Sequence, residues 1–173
     1  GYFNNKHGRV TCTACPINTF ANETELKYCF DCPVGESAEE VGSPSCLKCG
    51  AGKYGDNCTL CSKGQYRNSD DAADTCILCA KGKYQNQKGQ ALCLPCVPGK
   101  YNTKKAQSEC KMCKIGQYSN QIMQSRCINC SSIETSVKGA TFCFKCVAGQ
   151  YMSNHKVCSQ CDPGKVSTYG QSS

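Results

Sequence analysis

Residues 76–96 read CILCAKGKYQNQKGQALCLPC, and this stretch decides the fold because the rest of the chain repeats it. It opens and closes with a C-x-x-C pair, and Gly82 stands three residues after the second cysteine and two before Tyr84. Glycine adopts positive φ without steric cost, so the chain can reverse direction there. The sequence NQKG at 86–89 suits a type I turn. We therefore predict a short two-stranded loop between two cysteine pairs.

Ten C-x-x-C pairs account for all 20 cysteines of the 173-residue chain. Such a density is typical of a disulfide scaffold formed in an oxidising compartment. The first cysteines of successive pairs lie 15 to 18 residues apart, except for one interval of 12 between Cys46 and Cys58. A regular period of this kind indicates a tandem repeat in which each loop stacks on its neighbours.

A glycine and an aromatic residue recur at fixed positions after the second cysteine of most pairs. Residues 130–143 have Ile133 and Thr135 at these positions and are the degenerate repeat. The repeat from Cys49 to Cys58 is five residues shorter than most, which predicts a tighter turn. The aromatic position is held by Phe20, Tyr54, Tyr66, Tyr84, Tyr101, Tyr118 and Tyr151.

Composition argues against a globular core. Tryptophan is absent, aromatic residues are 8%, and no apolar run approaches the about 20 residues of a membrane span. A disulfide that closes a loop of about 15 residues contributes roughly 3 kcal/mol. We predict a small disulfide-rich fold: an elongated, solenoid-like array of short two-stranded loops, with little helix and no globular core.

We expect residues 1–173 to be one continuous tandem array of repeats of about 17 residues, cut from a longer chain. Residues 1–12 fit a partial repeat, because Gly1 lies 11 residues before Cys12, as Gly82 does before Cys93. Residues 12–161 contain the remaining repeats, including the degenerate unit 130–143. Residues 161–173 start a further partial repeat.

The pattern C-x-x-C-x-x-G-[KQ]-Y resembles the cysteine-rich repeats of ephrin-receptor-like modules. It is also similar to the first loop of tumour-necrosis-factor-receptor cysteine-rich domains, and to repeats of protist surface antigens and algal mastigoneme proteins. The resemblance implies that the cysteine before the glycine bonds the next cysteine along the chain, with Cys12 and Cys161 bonded outside this segment. The implied pairs are Cys15–Cys29, Cys32–Cys46, Cys49–Cys58, Cys61–Cys76, Cys79–Cys93, Cys96–Cys110, Cys113–Cys127, Cys130–Cys143 and Cys146–Cys158.

Two other uses of the cysteines stay open from the sequence. Alternate pairing, Cys76 with Cys93 and Cys79 with Cys96, would close all twenty cysteines internally, and sequence alone does not fix connectivity. Pairs about 13 residues apart also have the spacing of zinc knuckles, and a chain of charge +7 with such knuckles could bind nucleic acid. We favour consecutive over alternate pairing because Cys12 and Cys161, which it leaves without a partner, lie at the two expected cut ends of the array. We favour disulfides over zinc because ten regular pairs, most followed by G-x-Y, suit stacked loops.

No catalytic set of residues can be assembled, so we expect neither an enzyme nor a cofactor, and no metal. A redox C-x-x-C needs a helix N-terminus, and these pairs lie between Gly-rich turns. Basic residues crowd the middle of the chain, where they form either a stripe for acidic polysaccharide or a solvated face that keeps the chain soluble. The residues concerned are Lys81, Lys83, Lys88, Lys100, Lys104, Lys105, Lys111 and Lys114.

Surface features give two further sets of candidate residues. Asn22, Asn57 and Asn129 begin glycosylation sequons in loops. Apolar residues outside the aromatic position gather around the degenerate repeat, where they either form a contact surface or compensate for the aromatic missing at Thr135. The candidate contact surface comprises Ile122, Met123, Phe142, Phe144 and Met152.

Two functions are consistent with this architecture. The first is an extracellular structural protein, a stiff segment of a surface filament or coat such as a mastigoneme, whose stiffness would come from covalent links between successive loops. Its partners would be other copies of itself or other surface proteins, with glycans as further candidates and no contact with nucleic acid or membrane. The second is the ligand-binding ectodomain of a cell-surface receptor, as the resemblance suggests. Either would be secreted or at the cell surface.

Overall fold

The computed structural model describes residues 1–4, 11–153 and 156–167. Within these ranges the chain forms nine antiparallel two-stranded hairpins and no helix. The predicted small disulfide-rich array of two-stranded loops is therefore confirmed. The strands are β1 (Tyr2–Phe3), β2 (Thr13–Ala14), β3 (Thr19–Phe20), β4 (Phe30–Asp31), β5 (Glu36–Ser37), β6 (Leu47–Lys48), β7 (Lys53–Tyr54), β8 (Thr59–Leu60), β9 (Gln65–Tyr66), β10 (Ile77–Leu78), β11 (Lys83–Tyr84), β12 (Leu94–Pro95), β13 (Lys100–Tyr101), β14 (Lys111–Met112), β15 (Gln117–Tyr118), β16 (Ile128–Asn129), β17 (Gln150–Met152) and β18 (Cys158–Gln160).

Eight of the nine hairpins begin at the predicted glycine, and the β3–β4 hairpin begins at Asn18, which has a φ of 64°. Gly82 has a φ of 76°, and the Lys83 N–H donates to the Ala80 carbonyl at 3.1 Å. Positive φ at the third residue of this four-residue turn identifies a type II turn, which glycine favours. The hairpin then pairs Tyr84 with Leu94, and the Cys96 N–H donates to the Gly82 carbonyl at 2.8 Å.

The predicted turn at 86–89 lacks the hydrogen bond between its first and fourth residues. A type I turn would direct the Gly89 N–H to the carbonyl of Asn86, but this N–H donates to the Cys61 carbonyl of the preceding repeat at 2.8 Å. Gly89 has a φ of 68°, so its freedom at positive φ serves a contact between repeats.

Nine disulfides each close one repeat, which we name by its two bonded cysteines. Each bond joins the second cysteine of one pair to the first of the next, over sequence separations of 9 to 15 residues. These are the nine pairs that the family resemblance implies. The bonds therefore lie within repeats, and the expectation that they link successive loops is wrong.

Backbone hydrogen bonds join successive repeats instead. Between the Cys79–Cys93 and Cys96–Cys110 repeats, the Gly82 N–H donates to Asn102 at 3.0 Å and the Gln85 N–H donates to Gln107 at 3.1 Å. In the reverse direction the Ala106 N–H donates to the Cys79 carbonyl at 2.9 Å. Equivalent sets join the Cys96–Cys110, Cys113–Cys127 and Cys130–Cys143 repeats. This three-bond junction is the recurring contact of the fold.

Contacts divide the chain into two compact units. The first comprises residues 1–78 and 87–92, and the second comprises residues 79–86 and 93–173. In both units, most second cysteines are buried, and so is the residue that follows the aromatic position in most repeats, whereas the aromatic residues themselves are half-buried. The buried residues at that following position are Ala21, Ala38, Arg67, Gln85, Asn102, Ser119, Ser136 and Met152.

Candidate contact site at the degenerate repeat

The Cys130–Cys143 repeat keeps its disulfide but forms a shorter hairpin. Pairing is reduced to a single bridge, in which Thr135 and Phe144 exchange two backbone hydrogen bonds of 2.8 Å. Ile133 is not among the residues with positive φ, although the Glu134 N–H still donates to the Ser131 carbonyl at 3.3 Å. Loss of the glycine therefore changes the turn without opening the loop.

An apolar cavity of about 260 Å³ lies beside this bridge. Thr135 and its partner Phe144 form part of the wall, together with Ile115 of the preceding repeat and Val157 of the following one. Thr135 stands where seven other repeats carry Phe or Tyr. The cavity therefore adjoins the position from which an aromatic ring is missing.

The polar groups beside the cavity are satisfied by hydrogen bonds. The Thr135 hydroxyl donates to the Lys156 carbonyl, and the Ser136 hydroxyl donates to the Gln117 carbonyl at 2.7 Å. Both side chains are buried. Because these hydroxyls are engaged, the space left open is lined mainly by carbon, with the side chains of Lys138 and Lys156 at its wall.

A second cleft of about 490 Å³ borders the same repeat and is polar. Its lining includes Tyr118, Asn129, Glu134 and Phe142. Asn129 accepts a hydrogen bond of 2.9 Å from the Gln117 amide, and the Ser131 hydroxyl donates to Glu134 at 2.8 Å. This cleft is therefore bounded by groups that already have partners.

The structure separates the five predicted contact residues. Ile122, Met123, Phe142 and Phe144 are 40–67% exposed, and Phe142 and Phe144 border different cavities. The inclusion of Met152 in this surface is wrong, because Met152 is 6% exposed and occupies the buried position after Tyr151. Exposed apolar residues also occur in other repeats, for example Leu47 at 72%. Apolar exposure alone therefore does not mark a contact site, and the degenerate repeat combines it with an apolar cavity.

Sequence reasoning missed Arg67, which is 2% exposed. Its guanidinium donates to the carbonyls of Gly50 at 2.9 Å, Lys53 at 2.8 Å and Ala72 at 3.1 Å, with two longer bonds to Cys49. Three of these four acceptor residues belong to the short Cys49–Cys58 repeat. Buried cations need such hydrogen bonds, so Arg67 satisfies carbonyls at the junction with the short loop. The sequence feature that could have indicated its burial is its position directly after Tyr66, because the residue after the aromatic position is buried in most repeats.

The remaining predicted sites are at the surface. Asn22, Asn57 and Asn129 are exposed, as glycosylation requires. Cys12 and Cys161 have no disulfide partner, whereas the other 18 cysteines are bonded and lack the thiolate that a zinc ligand needs. Among the described residues, no three His, Cys, Asp or Glu side chains group as metal ligands, and no helix is long and apolar enough to cross a membrane.

Charge is segregated along the sequence. Nine of the 20 lysines and arginines, but one of the 13 aspartates and glutamates, lie within residues 76–133, which gives this segment a net charge of +8 and the remainder −1. The two ion pairs found among the described residues, Lys53–Glu39 and Lys165–Asp162, both lie outside it. Among the described residues, the lysines of the segment form no ion pair with a carboxylate.

Part of the chain matches a known protein family. Residues 68–108 and 99–142 match the family described as tyrosine-protein kinase ephrin type A/B receptor-like. Residues 68–142, which are 75 of the 173 residues, are therefore similar to ephrin-receptor-like repeats. The match confirms the resemblance predicted from the G-x-Y pattern, and it reaches into the degenerate repeat. The ephrin-receptor-like family is a receptor-like cysteine-rich class rather than a catalytic one, and its disulfide-rich modules are of the extracellular type. No curated protein matches the chain.

Proposed function

We propose that the chain is a non-enzymatic extracellular structural protein, a stiff segment of a surface filament or coat of the mastigoneme kind. The observation that carries this proposal is the repeated junction. Consecutive repeats each have their own disulfide, and the same three backbone hydrogen bonds join one repeat to the next. Such a segment needs no cofactor, and its partners are other copies or other surface proteins.

Stiffness follows from two different restraints in this proposal. The disulfide prevents each loop from opening, because it removes most of the conformations available to the unfolded loop. The junction then fixes each closed loop against the next, as in other repeat proteins whose stability is a sum of repeat and interface terms. Glycans on Asn22, Asn57 or Asn129 would add a hydrophilic coat.

Electron micrographs of the native material, with its mass measured without reductant, test this function. The proposal predicts long regular fibres in which the mass of the chain is a repeating subunit. Discrete monomers attached to a membrane would contradict it. If the fibres are lost on reduction while the chain stays intact, the disulfides are what keeps the fibres ordered.

The second candidate is the ectodomain of a cell-surface receptor. The ephrin-receptor-like match and the apolar cavity of the degenerate repeat favour it. A receptor should bind a protein ligand through a few anchor residues in one repeat, whereas a filament should use equivalent contacts along its length. Zinc-knuckle binding of nucleic acid, the alternative that the sequence left open, would require free thiolates, which the 18 bonded cysteines lack. Counting thiols and zinc in the native protein separates it from the other two.

A further inference from the structure

We propose that the apolar cavity of the degenerate repeat binds an aromatic side chain of a partner polypeptide, a Tyr or Phe flanked by carboxylates. The inference deepens the proposed function, because it names what the contact surface of that function holds. It rests on a contact role for the Cys130–Cys143 repeat and does not depend on the stiffness of the array.

Comparison among repeats identifies the chemistry of the occupant. In four of the seven repeats that carry an aromatic, the ring pairs across the hairpin with an apolar residue, as Tyr84 does with Leu94 and Tyr118 with Ile128. In the other three the partner is Thr59, Lys111 or Ser159. In the degenerate repeat the corresponding pair is Thr135 and Phe144. Phe144 retains the apolar partner, but the ring that would stand beside it is absent. The place is therefore built for an aromatic side chain that this repeat does not supply.

The cavity has the size and lining for such a ring. Its volume is about 260 Å³, and Ile115, Val137, Phe144 and Val157 provide apolar wall. An apolar cavity of about 150 Å³ in another protein is large enough to bind benzene. Because the Thr135 and Ser136 hydroxyls are already engaged, the lining offers few polar groups to a polar ligand.

The positive charge of the lysines at the cavity wall indicates which residues should flank the aromatic side chain in the partner. Lys138 and Lys156 line the cavity, and neither forms an ion pair with a carboxylate among the described residues, although the Lys156 ammonium donates to the Cys130 carbonyl at 3.5 Å. Lys138 is exposed and its ammonium is free to meet a carboxylate of the partner. Carboxylates on either side of the ring therefore complement this site, and lysines would be repelled.

The experiment uses the oxidised protein, uniformly labelled with ¹⁵N, and short peptides as probes. Acetyl-Gly-Glu-Tyr-Glu-Gly-amide should cause saturable shifts of the amide signals of Thr135, Val137 and Val157. The peptide with Ala in place of Tyr should bind roughly tenfold more weakly or not at all, because it has no ring to bury. Equal shifts with both peptides would overturn the proposal.

Thr135→Tyr should fill the cavity from within and abolish the shifts. Ser37→Tyr is the matched control, because Ser37 also stands at an aromatic position, in the Cys32–Cys46 repeat, and is also buried. This control should leave peptide binding unchanged. Binding that survives Thr135→Tyr would contradict the assignment of the cavity.

Lys138→Glu keeps the test decisive if Thr135→Tyr fails to fold, since Lys138 is exposed. It should weaken binding of the Glu-Tyr-Glu peptide and strengthen that of the corresponding Lys-Tyr-Lys peptide. If both peptides are indifferent to the charge reversal, the charge argument is wrong. Sedimentation that shows dimers lost in Thr135→Tyr would place a second copy of the chain in the cavity and would contradict the proposal, because no Tyr or Phe of this chain has a carboxylate on both sides. Fibres in micrographs test the scaffold function separately, whichever way the peptides behave.

Discussion

The Cys113–Cys127 and Cys130–Cys143 repeats are consecutive but differ in their local signals. The first has Gly116 and Tyr118 and forms strands of two residues, whereas the second has Ile133 and Thr135 and forms a single bridge. Both disulfides nevertheless have a Cα–Cα distance of 5.7 Å, and three backbone hydrogen bonds still join the two repeats. Disulfide and junction therefore suffice for the loop. The glycine, rather than the aromatic, accompanies the complete hairpin, because the Cys32–Cys46 repeat keeps Gly35, has Ser37 at the aromatic position and still forms β5 and β6.

Both repeats keep their disulfide, and removing it from each should have the largest effect on stability. Replacing Cys113 and Cys127 by Ser should cost about 3 kcal/mol in local stability, as expected for a loop of this length. Replacing Cys130 and Cys143 should cost the same, since the sequence separations are 14 and 13 residues. Hydrogen exchange of each repeat measures this. A much smaller loss in the degenerate repeat would show that its order has another source.

The second prediction concerns the packing around the glycines of the regular repeats, and it compares Gly82 with Gly149. A methyl group added at Gly82 would collide with the Met123 carbonyl of the repeat two positions further on, in addition to the strain of positive φ. Gly149 has nearly the same φ, 82°, but among the described residues nothing lies within 4 Å of an added methyl.

Gly82→Ala should therefore destabilise by about 2 kcal/mol more than Gly149→Ala, since collision with backbone costs energy beyond the left-handed conformation. Urea unfolding of the two variants, with unchanged slopes, gives this difference. Equal losses of stability would mean that positive φ alone accounts for the cost of replacing these glycines. They would also mean that Gly82 is packed less closely against the repeat of Met123 than the structure shows.

Restoring the glycine tests the degenerate repeat. Ile133 has no positive φ, so Ile133→Gly gains no relief of strain and should destabilise by about 0.5–1 kcal/mol through the entropy of the unfolded chain. Exchange rates of the Thr135 and Phe144 amides measure this change. Slower exchange in the variant would indicate that the turn had reverted to the regular form.

The smallest effect concerns the lysines of residues 76–133. If they form a solvated face, changing Lys100, Lys104 and Lys105 to Gln should lower the salt needed for elution from an anionic glycan column only as much as changing Lys27, Lys48 and Lys63, since each triple removes three charges. A loss of retention confined to the first triple would instead support a polysaccharide-binding stripe.

The regular features of the fold could be predicted because their causes are local. The reversal at Gly82 follows from its conformational freedom, and the two-stranded loops follow from the cysteine spacing. The junctions could not be predicted, because the bond from Ala106 to Cys79 depends on how separate repeats stack. The buried position after the aromatic was also missed, because it holds residues as different as Ala38 and Arg67 and so shows no apolar pattern.

The sequence pointed to the repeat that contains the candidate site, but it did not predict the cavity or the residues that line it. The loss of the aromatic at Thr135 located the degenerate repeat, and the exposure of Phe142 and Phe144 agrees with a surface there. The cavity itself depends on Ile115 and Val157, which belong to the neighbouring repeats, and no local pattern brings them together. Met152 was misplaced for the same reason, since burial is decided by stacking rather than by hydrophobicity.

Amide hydrogen exchange before and after mild reduction tests the central claim, that disulfides within repeats maintain the junctions between them. The informative amides are the junction donors Gly82, Gln85 and Ala106, which are hydrogen-bonded to a neighbouring repeat. Reduction should reduce their protection to the level of an open loop, because each repeat loses the restraint that closes it. Protection that persists unchanged in the reduced protein would contradict this account.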